Sequence, residues 1–256
     1  MRYFTILFSC IWSFGALAAP VSVVAQYVIS VGGTIIARAD IDLRDDGSAY
    51  TMDMSAKISG LGNLVASGSA AINVSGTSTN TTLYGDDFTL QTQSPQGSAK
   101  VTVSYIERNV AAFFSEPPQP PRLDQIPLQR SQLRNVNDML SAFIIKSSHL
   151  SPQICDRTLN IFTGVERFDL KLSYAAAENA TSARTGYQGP VILCQLNYLP
   201  ISGHYASSEI TNYLQGSERI LIWYAPVAGS DIFIPYRVLI GTTFGDLSMV
   251  LTGLNK

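Results

Sequence analysis

The chain has 256 residues and a formal net charge of −2 at neutral pH, from 17 basic and 19 acidic side chains. Apolar residues make up 46% of it and charged residues only 14%, so Ser, Thr, Asn and Gln carry much of the polarity. That balance excludes the basic footprint expected of a protein that binds nucleic acid or an anionic membrane surface, and the length is enough for one large core.

The chain opens "MRYFTILFSCIWSFGALAAPVSVVAQ". Arg2 precedes an apolar run from Phe4 to Leu17 that is too short for a span of about 20 residues. Small residues follow at Ala16-Leu17-Ala18 and Val23-Val24-Ala25, which gives two cleavage sites for a signal peptide. The second is favoured because the first leaves Pro20 close behind the cut, so the expected organisation is a signal peptide over 1–25 and one exported domain over 26–256. Cys10 lies in "LFSC", but Phe8 is too bulky for a lipidation box. Cleavage after Ala25 removes Arg2, one of the 17 basic residues, and none of the 19 acidic ones, so the net charge of the exported chain becomes −3. The expected address is the periplasm of a Gram-negative bacterium, with no transmembrane segment after cleavage. Setting aside Cys10, the three cysteines reduce to an even pair in an oxidising compartment, so Cys155 and Cys194 are expected to form a disulfide. Its loop of about 40 residues is worth roughly 4 kcal/mol in chain entropy.

Alternation of period two then dominates. Ile35, Ala37, Ala39, Ile41 and Leu43 share one face, Asp45-Asp46-Gly47 forms a turn, and Tyr50, Met52, Met54, Ala56 and Ile58 return on the same face, so an antiparallel hairpin with one wet face is predicted. "SGLGNLVASGSA" reads as a loop or a short helix over Leu61–Ser67, and "NVSGTSTNTT" as a loop or exposed edge. "DFTLQTQ" and "AKVTVSYIE" are strands across "SPQGS". Five prolines lie between Pro117 and Pro127. They remove donors and block helix and central strand alike, giving an extended connection. "NVNDMLSAFIIKSS" carries a cap at Asn135 or Asn137 and a stripe of Met139, Leu140, Phe143 and Ile144, which predicts a helix. Strands follow at "TLNIF" and "RFDLKLSY", the latter aligning Phe168, Leu170, Leu172 and Tyr174. "AENATSARTGYQG" is a loop before the Cys194 strand. "SSEITNYLQG" is a short helix with an Ile210/Tyr213/Leu214 stripe and Gly216 as a stop. The end is β: "RILIWYAPV", "DIFIPYRVLIGTTFG" and "DLSMVLTGL". The expected fold is mainly β: a single domain, with a strongly curved antiparallel sheet or open barrel and one or two short helices packed on it.

No catalytic pattern stands out. A zinc site needs several ligands at matched spacing, and His149, His204 and an oxidised cysteine pair do not supply them. A thiol nucleophile at Cys194 with His204 as base requires a free, low-pKa thiolate. There is no G-x-S-x-G elbow, and "GLGNLV" is neither a P-loop nor a complete dinucleotide fingerprint. No cofactor is expected. What remains is 12 Tyr, 11 Phe and two Trp. They read as core, or as the lining of a concave face that holds an acyl chain or an apolar peptide.

The C-terminal half carries a likeness. "CDRTLNIFTGVERFDLKLSY", "GYQGPVILCQLNYLPISGH" and "IWYAPVAGSDIFIPYRVLIGTTFG" resemble the bacterial domain of unknown function 3108 family. The shared order is a Cys, an R-[FY]-D-[LV] strand, a second Cys before Y-x-P-I-x-G, then W-x-x-P and a basic strand ending in G-T. "NDMLSAF" resembles that family's D-P-L-S-A helix, with Met139 where Pro is common. The resemblance implies an exported envelope protein and strengthens the cysteine pairing, and it implies no reaction. The resulting expectation is a non-enzymatic binding module for an apolar small molecule, a lipid or an envelope protein. A hydrolase or isomerase and a purely structural scaffold are the alternatives. Arg157, Tyr198, Pro200, Gly203, His204 and Tyr205 form the candidate rim or partner surface.

Overall fold

A computed structural model describes residues 20–59, 67–118, 120, 122–243 and 245–256. The first seven strands are β1 (Val21–Val31), β2 (Thr34–Asp45), β3 (Ala49–Ile58), β4 (Ser69–Ser78), β5 (Leu83–Ser94), β6 (Gly97–Ile106) and β7 (Asn109–Glu116). A long connection carrying the two-residue β8 (Ile145–Lys146) leads to β9 (Thr158–Phe162), β10 (Arg167–Ala180), β11 (Gly189–Ser202), the helix α1 (Glu209–Gly216), β12 (Ile220–Pro226), β13 (Ile232–Ile240) and β14 (Leu247–Asn255). All fourteen strands belong to one antiparallel sheet, ordered β7-β6-β5-β4-β3-β2-β1-β14-β13-β12-β11-β10-β9, with β8 paired to β13 off this path. Each half is an up-and-down meander. The halves meet where β1 pairs with β14, so the described ends of the chain lie mid-sheet and the connection joins its two edges.

The sheet rolls without closing, and its ends overlap. The β9 end lies on the inner face of β6 rather than beside an edge. The Tyr105 hydroxyl donates to the Phe162 carbonyl at 3.3 Å, and the Phe113 and Phe162 rings meet edge-on at 5.2 Å. At Gly164, with φ +88°, an added Cβ would lie 2.2 Å from Val101 Cγ1, so a residue without a side chain is required there. The predicted hairpin forms as read, with Leu43 opposite Met52 and Ile41 opposite Met54. Its turn is held by Asp45 and Asp46, whose carboxylates accept from the Gly47, Ser48 and Ala49 amides at 2.8 Å.

The connection fills the inside of the roll. Leu133, Val136, Leu140 and Ile144 pack with the inward residues of β1–β6, among them Tyr27, Met52, Phe88 and Val103. Ala142, Ile145 and Ile154 pack with β9–β13, around Leu172, Leu196, Ile222 and Tyr224. Adjacent residues Ile144 and Ile145 thus face opposite halves, which extended backbone provides. The connection is locked by charge as well. Lys146 Nζ lies 2.8 Å from Asp45 Oδ2 and 3.0 Å from Ser78 Oγ, and both ion-paired side chains are almost fully buried. The predicted disulfide is present: Cys155 and Cys194 are bonded, with Cα atoms 5.5 Å apart.

Several expectations are corrected. "NVNDMLSAFIIKSS" is not an α-helix: it holds a single 3-10 turn over Ser141–Phe143 and then β8. Asp138 Oδ1 accepts from the Leu140 and Ser141 amides, closing a tight turn, while Asn137 pairs with β9. Its apolar residues divide between two halves of the core instead of sharing one stripe. "NVSGTS" belongs to the central strand β4, not a loop. Gly76 permits this, since a Cβ there would lie 2.0 Å from the Tyr84 carbonyl and 2.9 Å from the Tyr50 ring. Ala177–Ala180 continues β10 rather than starting a loop. The α1 helix forms with Ser208 as its cap. It turns Thr211 inward, however, leaving Ile210 and Tyr213 exposed, so the predicted stripe is not its buried face. Gly216 is its last residue and Ser217 follows as the C-cap. Strands β1 and β7 lie outside the predicted elements. Apart from Ser67, the Leu61–Ser67 segment lies outside the described residues, as does the N-terminal apolar run.

Candidate functional site

Five of the six sequence-predicted rim residues come together where the connection first returns to the sheet. Gly203 has φ +85°, and a Cβ there would sit 2.0 Å from the Val165 carbonyl oxygen, so only glycine fits. That conformation lets the Gly203 amide donate to Ile126 O at 2.8 Å, while the Ile126 amide donates to His204 O at 2.9 Å and the Ala206 amide to Asp124 O at 2.8 Å. Gln125 adds a side-chain bond to Gly203 O at 2.9 Å. Residues 124–126 therefore form a short ladder with 203–206, and Arg122 covers the Tyr205 ring at 4.1 Å. Tyr198 and Pro200 lie in β11, just before this turn. The Tyr198 ring rests on Phe168 at 5.2 Å. Burial, with Glu166 nearby, pushes its hydroxyl up to about 12. His204 is half-buried, and its Nδ1 has no partner among the described residues. These residues anchor the connection and leave little of themselves for a ligand.

Arg157 is not part of that rim. It precedes β9, whereas Gly203 lies beyond the other end of the same strand, roughly 17 Å away for five residues of strand.

Beside the rim is a surface that sequence reasoning missed. Phe113 and Phe114 of β7, Pro118, Gln125, Leu128 and Val165 line a shallow, mostly apolar trough of about 300 Å³. Phe114 is 57% exposed and Phe113 45%, and Leu123 stands fully in solvent. The trough runs along the terminal strand of the sheet, and among the described residues no strand pairs with the outer edge of β7. An exposed edge with aromatic side chains is an unusual thing to leave uncovered, because its free N–H and C=O groups template further pairing. The missed signal is the run "VAAFFS", apolar and aromatic enough for a strand but without alternation.

One cluster of buried polar groups is closed off from solvent. Asp138, Ser141 and Tyr50 converge, with the Tyr50 and Ser141 hydroxyls 2.6 Å apart, yet all three are buried. Burial raises the Asp138 carboxyl and Tyr50 phenol above their ordinary values. No three His, Cys, Asp or Glu side chains gather into a metal site among the described residues. No helix among them is long and apolar enough to cross a membrane. Cys194, bonded to Cys155 and buried, is a structural staple rather than a nucleophile.

The model of a family described as protein of unknown function DUF3108 matches residues 26–252. The chain belongs to the DUF3108 family. Among solved structures it is similar to the crystal structure of a beta-barrel-like protein of domain of unknown function DUF1849 from Brucella abortus, at 10% identity and a TM-score of 0.49. That match covers 94% of this chain and 99% of the other. Comparison with curated proteins gives no match. Among the motifs that carried the resemblance, the two cysteines form the Cys155–Cys194 staple, and Y-x-P-I-x-G ends at Gly203, where the connection is received.

Proposed function

We propose that this DUF3108 protein is a non-enzymatic, exported binding module of the Gram-negative cell envelope, and that its β7 edge takes an extended apolar segment of an envelope partner by strand addition. The observation that carries this reading is the unpaired β7 edge with Phe113 and Phe114 beside it. Main-chain bonds to such an edge give affinity, and side-chain pockets on alternate residues give selectivity. The version in which an acyl chain enters the concave face loses its support, because the chain's own residues 133–154 occupy that face. The sealed polar clusters and the oxidised cysteines support a binding role over a hydrolase or isomerase.

The leader reading is refined in the same proposal. Val21–Ala25 lies in β1, paired with β2 and, from Val24 on, with β14. Val23 and Ala25 are 1% and 3% exposed. Cleavage after Ala18 keeps this strand whole, and cleavage after Ala25 removes half of it. N-terminal sequencing of the exported protein decides between the two, and a start at Gln26 would overturn the Ala18 site.

Strand addition is tested with a photo-reactive amino acid at Phe114 in cells, with Tyr174 on β10 as a control of similar exposure. The expected result is a covalent adduct with an envelope protein from position 114 alone. Equal labelling at both positions, or adducts only with a second copy of this chain, would sink the reading.

A further inference from the structure

At the other end of β7 from the trough lies a recess of about 160 Å³. It is built by four segments far apart in sequence: the start of β5, the β6–β7 turn, the connection between 135 and 144, and the start of β9. Its only charged lining residues are Arg108 and Arg157. Arg157 is half-buried and makes no ion pair or hydrogen bond from its side chain among the described residues, and its Nε is shut off from solvent without an acceptor. Arg108 lies over the Tyr84 ring at 4.7 Å and likewise has no carboxylate partner. Their sequence neighbours Asp156 and Glu107 pair with neither. Asp169, which accepts from the recess's Asn160, is itself ion-paired to Arg167 at 2.5 Å. Further uncommitted polar groups line the same space: the side chains of Thr82, Asn135 and Thr158 make no hydrogen bond among the described residues.

The backbone around the recess is held in an unfavourable form. Glu107, Arg108 and Asn135, with φ 48°, 66° and 51°, are the three non-glycine residues with positive φ among the described residues, and all three flank this one place. Glu107-Arg108 makes a two-residue hairpin turn with positive φ at both positions, where Asn-Gly is the usual choice. Arg108 O accepts from the Val136 amide, and Asn109 Oδ1 from the Asn135 amide, so the turn is clamped to the connection. Strain of this kind persists where the surroundings hold it, commonly at a binding site.

From this geometry we infer that the recess binds an oxyanion, a carboxylate or phosphate group on a small ligand, held by the Arg157 and Arg108 guanidiniums. Two arginines with no lining carboxylate give a positive recess, and the planar guanidinium fork matches both oxyanions. An anion also supplies the acceptor that Arg157 lacks. The nearby Tyr224 hydroxyl is buried without a hydrogen-bond partner among the described residues; it favours the Arg157 charge but does not accept a hydrogen bond from it. The size sets a limit, since a volume of about 160 Å³ is close to the roughly 150 Å³ of a cavity that holds benzene. The bound group is therefore a headgroup or small acid and not an acyl chain. The site is independent of the β7 edge, and either can fail alone.

The test is thermal unfolding of the exported chain in sodium phosphate and in sodium acetate, each against sodium chloride at equal ionic strength. The expected result is a saturable rise in Tm with at least one of the two, and the stronger one names the source chemistry. At ten times Kd the folded-to-unfolded ratio rises about 11-fold. Arg157→Gln abolishes the anion response and Arg157→Lys weakens it through loss of the fork. Arg237→Gln leaves it unchanged: Arg237 also has a buried, unpaired Nε but lies over Trp223, away from the recess. A response that does not saturate, or one equal in Arg157→Gln and the parent chain, overturns the inference. An equal loss of Tm in all three salts for Arg157→Gln makes Arg157 merely structural and also overturns it. If Arg157→Gln does not fold, Arg108→Gln on the exposed turn gives the reading, and an unchanged anion response there counts against the site.

Discussion

The two edges of the sheet are treated in opposite ways. At β9 the chain seals its edge. The Asn137 amide donates to Asn160 O at 2.8 Å and the Phe162 amide donates to Asn137 O at 3.0 Å, so the connection supplies a one-residue parallel strand. The Asn137 side chain then reaches across to β5, donating to Leu83 O at 2.7 Å and accepting from the Gly85 amide at 2.9 Å. Ile161 and Phe162 are wholly buried, and the disulfide pins the connection just before β9 begins. At β7 none of this happens. The strand carries no lysine and no internal proline, the usual devices that blunt an edge, and its phenylalanines face solvent. The guarded edge is where stability is secured, and the bare edge is where the proposed partner contact can be tested.

The largest way to break that contrast is to cut the staple beside β9. Replacing Cys155 and Cys194 together by Ser removes a cross-link of sequence separation 39, a loss of about 4 kcal/mol on the chain-entropy estimate. Denaturant unfolding should show it, and limited proteolysis should then cut within the connection. A loss under about 1 kcal/mol, well below that estimate, would mean that packing alone holds this edge. Next comes Asn137→Ala, which leaves the Leu83 carbonyl and Gly85 amide without partners, a cost of about 2 kcal/mol. Amide exchange at Phe162 should accelerate while exchange at the β1–β14 seam stays slow, and uniform acceleration would contradict a local clamp.

A third effect changes with pH. Asp138 follows the clamp and closes its turn, and desolvation raises its folded carboxyl above the usual 3.8. Between those two values the native state holds a proton that the unfolded chain has released, so stability falls as pH rises through this window. Asp138→Asn keeps an acceptor for the Leu140 and Ser141 amides and does not titrate. Its stability relative to the parent should therefore improve from pH 4 to pH 7 in urea titrations. A difference that stays constant with pH would show that the carboxyl is already ionised in the fold.

Much of the sheet was legible because half-buried strands alternate. The β2–β3 hairpin, β5, β6 and β9–β14 follow from period two and turn residues. The rest depended on partners that the sequence does not display. The β4 strand shows only Ile72 and Val74 as large inward residues, and its Gly76 makes sense only once the Tyr84 carbonyl and Tyr50 ring lie against it. In β1 the alternation merges with the composition of a leader. The connection imitates a helix because Met139, Leu140, Phe143 and Ile144 recur at three- and four-residue spacing, yet they pack on two halves of the core that only the roll brings together. Of the candidate positions, Arg157 and the Gly203 turn lie in the stretches that resemble the family. Arg108 did not, since a two-residue Glu-Arg turn carries no glycine to announce it, and Phe113 and Phe114 sit on a strand with no buried face to set a period.

The smallest expected effect on stability is also the sharpest test of the contrast. Phe114 is 57% exposed on the bare edge, and it has no ring partner among the described residues, unlike Phe113, which leans on Phe162. Phe114→Ser should therefore change unfolding free energy by no more than about 0.5 kcal/mol, as for a surface site, with an unchanged denaturant slope because the buried area is the same. Partner capture from a photo-reactive residue placed at Ser115 should nevertheless fall, since the side chain removed is the trough's most accessible aromatic. A loss of about 2 kcal/mol or more, the scale of a fully buried aromatic side chain, would show that β7 is held by its own packing, with Phe114 part of the fold. Full stability with undiminished capture would show that the Phe114 side chain takes no part in the contact. Only a stable chain that has lost its partner keeps the two edges in the roles proposed for them.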